Sequence, residues 1–419
     1  MQETLSIIIP AFNEEEGLPQ VLSELKTLGG DPLQGGLSTN IEIIVVDDGS
    51  TDRTAELAAA HEGVSVIRHG KRKGYGAALK AGLLHSRGDY LGFVDADGTY
   101  PARMFQVLLD GIRGKDIDLV IGSRLGHSGN GMPFSRKIGN IFFAALLSWL
   151  ADRKVGDTAS GMRVFRRACL NRLLPLPDGL DFTPTMTARA LHENMRILEI
   201  PIPYHERLGR SKLNVIRDGL RFLRSIVGVS RLYNPSKFFG LAGLIMITSA
   251  VALGLQPLLY YMVVRRVEDW TIYRLFTVMV LLVTGVNFVS FGVFSGYILA
   301  LIRGERPPSE RRLNWVSAGQ LILRHADWIG AGFILFSVIL NRRTILEYVT
   351  TRHIYVHWSY ILTGATFFLI GVQFIMSGFL IRAVQSLKEY LFTATESPER
   401  TAARDPEKVS AECETNEQG

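Results

Sequence analysis

Residues 238–264 contain no charged side chain, and neither do residues 275–302. At a rise of about 1.5 Å per residue, a helix over either run exceeds a bilayer hydrocarbon core of about 30 Å. Both runs are therefore expected to cross a membrane. Two further segments join them: 326–341, which is short and carries Asp327 at its edge, and 355–381, which is free of formal charge apart from histidine. The region 238–390 then reads as an α-helical transmembrane bundle of about four helices, 238–264, 275–302, 326–341 and 355–381. Arg303, Arg306, Arg311, Arg312 and Arg324 lie between the second and third, and Arg231 and Lys237 precede the first, so these sides are assigned to the cytoplasm. The outer loops also hold Arg265, Arg266, Arg342 and Arg343, which makes the bias modest. Four spans return the C-terminus to the cytoplasm, where residues 391–419, with few large apolar side chains, are expected to be disordered.

Composition fits a chain of at least two structural units. Hydrophobic residues make up 47% and charged ones 21%, and the apolar excess is concentrated after position 237. The net charge of +6 comes from basic residues beside hydrophobic segments, which points to anionic lipid headgroups and away from nucleic acid. Two cysteines, Cys169 and Cys413, make neither a disulfide framework nor a zinc site. The chain begins Met1-Gln2-Glu3-Thr4 and enters a strand-like run without the flank of a secretory signal, so residues 1–210 are expected to form a cytoplasmic domain. The whole is expected to be a multi-pass integral membrane protein, in the inner membrane if the source is bacterial. A homo-oligomer is compatible with the sequence.

Residues 5–125 alternate β-branched runs with helix-like segments, the pattern of a parallel sheet with helices on its faces. Strands are expected at 5–12, 41–48, 64–68, 90–95 and 118–123, and helices at 16–28, 52–61, 75–86 and 101–112. Ligands of such doubly wound α/β sheets sit at the carboxyl ends of the strands, and here those ends carry Asn13-Glu14, Asp47-Asp48 and Asp95-Ala96-Asp97. Beyond them, 138–151 is too short to span and reads as a buried or interfacial helix. Residues 214–232 place Arg217, Arg221 and Arg224 opposite Val215, Leu220, Leu223 and Ile226, so 211–237 is expected to be an amphipathic juxtamembrane region on an anionic surface. A solvated basic face on an ordinary helix is the alternative.

Chemistry concentrates on the strand ends. Asp95 and Asp97 follow the apolar run Tyr90-Leu91-Gly92-Phe93-Val94, and two hard oxygen donors at that spacing can hold Mg²⁺ or Mn²⁺, which neutralises a diphosphate leaving group. An isolated Asp-x-Asp is more often a solvated turn; its companions give this one weight. Ile7-Ile8-Ile9-Pro10-Ala11-Phe12-Asn13-Glu14 ends one strand, and Val45-Val46-Asp47-Asp48 ends another at a point suited to contacting a base or ribose. Ser50 or Thr51 can cap the following helix. Lys73-Gly74-Tyr75-Gly76 permits close backbone approach to a nucleotide, although it lacks either common phosphate-loop pattern.

With Gly122-Ser123-Arg124, Asp157-Thr158-Ala159-Ser160-Gly161-Met162-Arg163, Glu199-Ile200-Pro201-Ile202-Pro203 and Arg207-Leu208-Gly209-Arg210-Ser211-Lys212-Leu213, these segments resemble family 2 inverting glycosyltransferases, and among them the polyprenyl-phosphate (dolichyl-phosphate) mannose or glucose synthases. The likeness covers roughly residues 5–237. It implies a Rossmann-like GT-A nucleotide-sugar domain and transfer of a hexose from a nucleotide-sugar donor of GDP-mannose or UDP-glucose type to a polyprenyl or dolichyl phosphate at a lipid bilayer. By that resemblance Pro10, Phe12, Glu14, Asp47, Asp48, Lys73, Asp95 and Arg124 serve the nucleotide-sugar, and Asp95 and Asp97 the metal. Arg124, Arg136, Arg163, Arg207, Ser211 and Lys212 serve the phosphates, and Asp157 and Asp97 are the catalytic candidates.

Guanidinium groups suit this chemistry, because a lipid monophosphate must approach a diphosphate against repulsion. An anionic phosphate oxygen is also a competent nucleophile, so a strong base is less necessary than for a hydroxyl acceptor. Asp157 either lies near the anomeric carbon or orients Arg163 through a salt bridge. Two departures stand out. Thr99 occupies the place where mannose synthases often carry a metal-binding glutamine, and Asp181-Phe182-Thr183-Pro184-Thr185 replaces a glutamate-containing segment near the sugar pocket. A processive polysaccharide synthase is disfavoured because Gln-x-x-Arg-Trp is absent. A glycolipid synthase with a hydroxyl acceptor and a non-catalytic nucleotide-sugar-binding scaffold are the remaining alternatives.

Overall fold

The computed structural model describes residues 3–28, 39–125, 134–207, 215–302 and 325–403. The chain divides into two units, Met1–Tyr233 and Asn234–Gly419.

The first unit is an α/β sandwich around one mixed seven-stranded sheet. Its elements are β1 (Thr4–Ala11), α1 (Leu18–Leu28), β2 (Asn40–Asp47), α2 (Thr54–Ala59), β3 (Val64–Arg68), α3 (Tyr75–His85), β4 (Tyr90–Phe93), α4 (Met104–Ile112), β5 (Leu119–Ser123), α5 (Phe134–Ala151), β6 (Arg163–Arg166), α6 (Leu170–Leu173), α7 (Phe182–His192), β7 (Ile197–Pro201) and α8 (Val215–Tyr233). Strand order is β3-β2-β1-β4-β6-β5-β7. β1 pairs parallel with β2 (Ile7 opposite Ile43) and with β4 (Ser6 opposite Leu91). Its near-continuous apolar run follows from cover on both faces. Leu5, Ile7 and Ile9 pack with Leu22 and Phe105 on one side, while Ile8 packs with Leu79 and Leu83 on the other.

The five expected strands are present, but the sheet is neither five-stranded nor all-parallel. β6 inserts antiparallel between β4 and β5 (Leu91 opposite Phe165, Val120 opposite Val164), and β7 pairs parallel with β5. The parallel strands β1, β2 and β4 still end on one edge, bringing residues 12–14, 47–48 and 95–97 together there.

The expected boundary at residue 210 is displaced. Residues 215–233 form α8 within the first unit, where Ile226 is buried with Leu147, Leu150, Ala188 and Leu191 of α5 and α7. Phe222 meets Phe143 edge-on at 5.9 Å. Part of the apolar stripe read as a membrane face is therefore core; Leu220 and Leu232 of α8, like Ile138, Ile141 and Phe142 of α5, remain exposed.

The second unit comprises α9 (Pro235–Val264), α10 (Ile272–Ile302), α11 (Ala326–Leu340), α12 (Arg342–Thr351) and α13 (Trp358–Ala403). Three helices, Pro235–Val264, Asp269–Leu299 and Trp358–Leu387, are long and apolar enough to cross a membrane. The expected third span falls on a bent pair, which is long and apolar enough to cross only if its two helices make one span. α11 has 15 residues, about 22 Å at the helical rise, and α12 leaves it at 52°. Beyond Leu387 the helix continues to Ala403, past the expected start of a disordered tail at 391, because Ala, Glu and Arg there are good helix formers. The basic cluster Arg303 to Arg324 and residues 404–419 lie outside the described residues.

Close helix contact comes from glycine. A Cβ on Gly243 would stand 2.6 Å from the Gly285 carbonyl oxygen, and one on Gly330 would stand 2.6 Å from that of Gly371. Such small-residue crossings let backbones approach where no hydrophobic effect drives association. α9 with α10, and α11 with α13, use the same device.

Candidate active site

A cavity of about 250 Å³ opens at the carboxyl edge of the sheet in the first unit. The ends of β1, β2 and β4 supply Pro10, Phe12, Glu14, Asp48, Asp95 and Asp97; Arg124 and Arg136 enter from the segment after β5 and from α5, and Arg207 from the segment after β7. One wall is acidic and the other basic.

The acidic wall is built by the turn after β4. Asp97 accepts hydrogen bonds from the Thr99 hydroxyl at 2.6 Å and the Thr99 amide at 3.2 Å, and its other oxygen lies 3.5 Å from Arg207. Arg207 also pairs with Glu14, so one guanidinium ties β1 to β4. Asp95 accepts from the Tyr75 hydroxyl at 2.7 Å, and burial together with the charge of Asp97 pushes its pKa up to about 7. Gly161 presses on Asp95 so closely that a Cβ would overlap its carboxylate. No group of three or more His, Cys, Asp or Glu side chains able to hold a metal occurs among the described residues. Two neighbouring carboxylates, Asp97 buried and Asp95 half-buried, nonetheless suit a divalent cation that takes its remaining ligands from water and substrate phosphates, as Mg²⁺ commonly does.

Behind the basic wall lies Asp157, wholly buried. It holds Arg124 in a fork, with Nε and Nη2 each 2.8 Å from a carboxylate oxygen, and also accepts from the Arg124 amide, Asn140 Nδ2 and the Ala159 amide. Burial alone would raise its pKa; the Arg124 charge and these donors reverse that and hold it at about 2. Arg124 lines the cavity with its guanidinium 5.7 Å from the centre of the Tyr204 ring.

Comparison with known proteins gives the family. The family model for glycosyl transferase family 2 matches residues 6–174, and a model for a domain of unknown function, DUF8752, matches residues 235–391. The chain is 33% identical over 227 residues to a dolichyl-phosphate hexose transferase of Haloferax volcanii, covering 54% of this chain and 94% of that protein. The chain belongs to glycosyltransferase family 2. It is also 35% identical over 224 residues to the low-salt glycan biosynthesis hexosyltransferase Agl6 of the same organism, covering 53% of this chain and about half, 52%, of that relative. A crystal structure of glucosyl-3-phosphoglycerate synthase from Mycobacterium tuberculosis with Mn²⁺ and UDP overlaps 54% of this chain and 80% of its own, at 22% identity and a TM-score of 0.44.

Within this family 2 glycosyltransferase, Pro10, Phe12, Glu14, Asp48, Asp95, Asp97, Arg124, Arg136 and Arg207 line one cavity. Four other candidates stand elsewhere among the described residues. Asp47 is buried outside it, with one oxygen accepting from the Ser50 amide at 3.0 Å and the other 3.5 Å from Arg68. Lys73 is exposed, and only its amide contributes, donating to Asp48 at 2.8 Å beside the Gly74 amide. The neighbouring Arg72 takes the cavity position, 4.1 Å above the Phe12 ring. Arg163 is buried away from the cavity, donating to the Ser160 and Thr158 carbonyls and to Thr187; burial lowers its pKa to about 10. Asp157 does not line the cavity either, and its salt-bridge partner is Arg124, not Arg163. Ser211 and Lys212 lie outside the described residues.

Several lining residues had no signal as ligands: Tyr75, Tyr100, Tyr204, Leu180 and Phe222. Tyr75 and Tyr100 sit in motifs singled out for their glycines and carboxylates. Thr183, from the segment expected near the sugar pocket, does line the cavity.

Proposed function

We propose that this glycosyltransferase moves a hexose from a nucleotide-sugar to a polyprenyl or dolichyl phosphate with inversion, giving a lipid-linked monosaccharide. The observation that carries the reading is the division of the cavity into an acidic wall, Asp95 and Asp97, and a basic wall, Arg124, Arg136 and Arg207. The acidic wall, with Mg²⁺ or Mn²⁺, suits the donor diphosphate; a bound cation would neutralise the charge left on the departing nucleotide. The basic wall suits a second phosphate, since guanidinium forks stay charged and bind phosphate oxygens in pairs.

The choice of acceptor follows from how the carboxylates are used. Each one lining the cavity already accepts hydrogen bonds: Glu14 from Arg207, Asp48 from His69 and two amides, Asp95 from Tyr75, and Asp97 from Thr99. Asp157, held at about 2, is a poor proton acceptor at neutral pH, and Asp95, although raised to about 7, is in this reading committed to the cation. An anionic phosphate nucleophile does without a base, whereas a sugar or glycerol hydroxyl does not. Asp157 then acts as a positioning residue that aims Arg124.

In this reading the apolar helices hold the enzyme in the bilayer with its catalytic unit on the cytoplasmic side. The exposed apolar residues of α5 and α8 keep the cavity close to the membrane surface, where the lipid phosphate is found. The test is to incubate purified protein with labelled GDP- and UDP-hexoses, polyprenyl or dolichyl phosphate, and Mg²⁺ or Mn²⁺. Labelled lipid should form with one donor and disappear with chelator. Folded protein that yields no labelled lipid with any pair overturns the proposal.

A further inference from the structure

The two hairpins of the second unit repeat one packing scheme, and they differ where the first of them encloses a cavity. Gly243 crosses Gly285 as Gly330 crosses Gly371, with Ile247 and Val289 taking the places of Ile334 and Ile375 against the opposite glycine. Counting from these crossings, Gly254 corresponds to Asn341, each eleven residues after its first glycine, and Val278 corresponds to Gly364, each seven before its second. In the second hairpin the Asn341 side chain fills the space over Gly364, and Ser337 donates to the Gly364 carbonyl at 2.7 Å. In the first hairpin that space is open: a Cβ on Gly254 would reach only ordinary contact with Val278, at 3.7 Å.

A cavity of about 590 Å³ occupies this place, a size typical of sites for small organic ligands. Its wall is apolar, with Leu255 and Leu258 from α9, Leu282 from α10, and Leu362, Phe367 and Ile370 from α13. Polar groups gather at the end where α9 stops and α10 and α13 begin: Arg266, Glu268, Thr271, Ser359, Tyr260 and Tyr360. The Tyr260 hydroxyl lies 3.4 Å from a Glu268 carboxylate oxygen.

We propose that this cavity binds the polyprenyl-phosphoryl hexose formed in the reaction assigned above, an inference that rests on that reading. The isoprenoid chain lies along the apolar wall and the singly charged phosphodiester meets Arg266. The Glu268 carboxylate, with the surrounding hydroxyls, takes the hydroxyl groups of the sugar. A carboxylate at the rim discriminates: it accepts hydrogen bonds from sugar hydroxyls and repels the doubly charged phosphate of the unglycosylated lipid. The rim lies at the end of α9 remote from Pro235, hence in the leaflet opposite the one where α9 enters. A transferase consuming the lipid-linked sugar there would find it retained.

The test uses full-length protein in nanodiscs and a synthetic, photoactivatable polyprenyl-phosphoryl hexose, competed with unlabelled product lipid, polyprenyl phosphate or phosphatidylglycerol. Crosslinks should fall on α9, α10 and α13, and the product lipid should compete at least fivefold better than the other two. Gly254→Phe fills the cavity and should lower crosslinking at least fivefold, with the initial rate of hexose transfer unchanged. Should that variant fail to fold, the rim pair Arg266→Ala with Glu268→Gln carries the same expectation. Undiminished crosslinking in these variants, or equal competition by phosphatidylglycerol, overturns the proposal. Because the probe is supplied ready-made, absence of transferase activity leaves the binding result intact, and active enzyme without binding removes this inference alone.

Discussion

The turn after β4 and the segment before β6 each bury an aspartate, with opposite electrostatic outcomes. Asp157 is surrounded by a guanidinium fork, two amides and an asparagine, and is held at about 2. Asp95 has one tyrosine hydroxyl and a second carboxylate nearby, and is raised to about 7. Burial is unfavourable to both charges; what differs is whether the protein supplies the compensation. At Asp157 it does, which marks a part of the framework. At Asp95 compensation is incomplete, which suits a place for a positive ligand.

The largest effect should come from the acidic wall. Asp97→Asn removes a proposed cation ligand and the charged contact with Arg207, and kcat should fall on the order of 10²–10³-fold, measured as labelled lipid formed at saturating substrates. Folding should be little affected. A variant with more than a tenth of wild-type turnover would show that the acidic wall does not carry the donor diphosphate.

Asp157→Asn should reverse that pattern. It leaves Arg124, whose side chain is 13% exposed at the cavity wall, deprived of its wholly buried charged partner, which costs about 3 kcal/mol of stability. The sign with pH follows from the lowered value. A carboxyl group more acidic in the folded protein stabilises fully above its unfolded value of about 3.8 and loses that contribution as pH falls toward about 2. Wild-type and variant melting temperatures should therefore differ most at neutral pH and converge in acid. KM for the lipid phosphate should rise more than kcat falls. Loss of kcat with unchanged stability would make Asp157 a catalytic group.

Much of the site was readable before the structure, and the unread part has a physical cause. β1, β2 and β4 declare themselves through β-branched runs that stop at polar residues, so their ends, and the carboxylates on them, could be placed at one edge. β6 is four residues, Arg163–Arg166, half of them arginine, and it becomes a strand only because β4 and β5 flank it. Its antiparallel insertion buries Arg163 among backbone carbonyls and leaves Arg124 to face Asp157, a choice between two arginines that no local pattern encodes. Likewise Arg72 and Lys73 are adjacent basic residues, and only the fold shows that Arg72 lies over Phe12 while Lys73 offers its amide to Asp48.

Asp95→Asn tests the comparison from the other side. A carboxyl group whose folded pKa is raised destabilises the fold once ionised, with a penalty that grows from about pH 4 to about pH 7 and is constant above. In chelator at pH 8, the variant should therefore be more stable than wild type by about 2 kcal/mol, less than an isolated shift of this size would give because the strain is shared with Asp97. The difference should vanish below about pH 4. Adding Mg²⁺ and nucleoside diphosphate should raise the wild-type melting temperature and leave the variant unmoved.

The smallest effect concerns Thr99, which stands where mannose synthases often have a glutamine. It does not need to touch a metal to matter. Its hydroxyl and amide both donate to one oxygen of Asp97, so they fix that carboxylate and leave the other oxygen to Arg207 and the cavity. Thr99→Val keeps the shape and the amide bond but deletes the hydroxyl, and loss of one such supporting donor typically costs about 10-fold. The loss should appear as weaker activation by Mn²⁺ or Mg²⁺ and should be recovered at saturating metal, because the carboxylate survives. Thr99→Ser, which restores the hydroxyl, should restore the wild-type metal dependence. If Thr99→Val leaves metal activation unchanged while Asp97→Asn abolishes turnover, then the Thr99 amide and Arg207 suffice to position Asp97, and the hydroxyl contributes nothing.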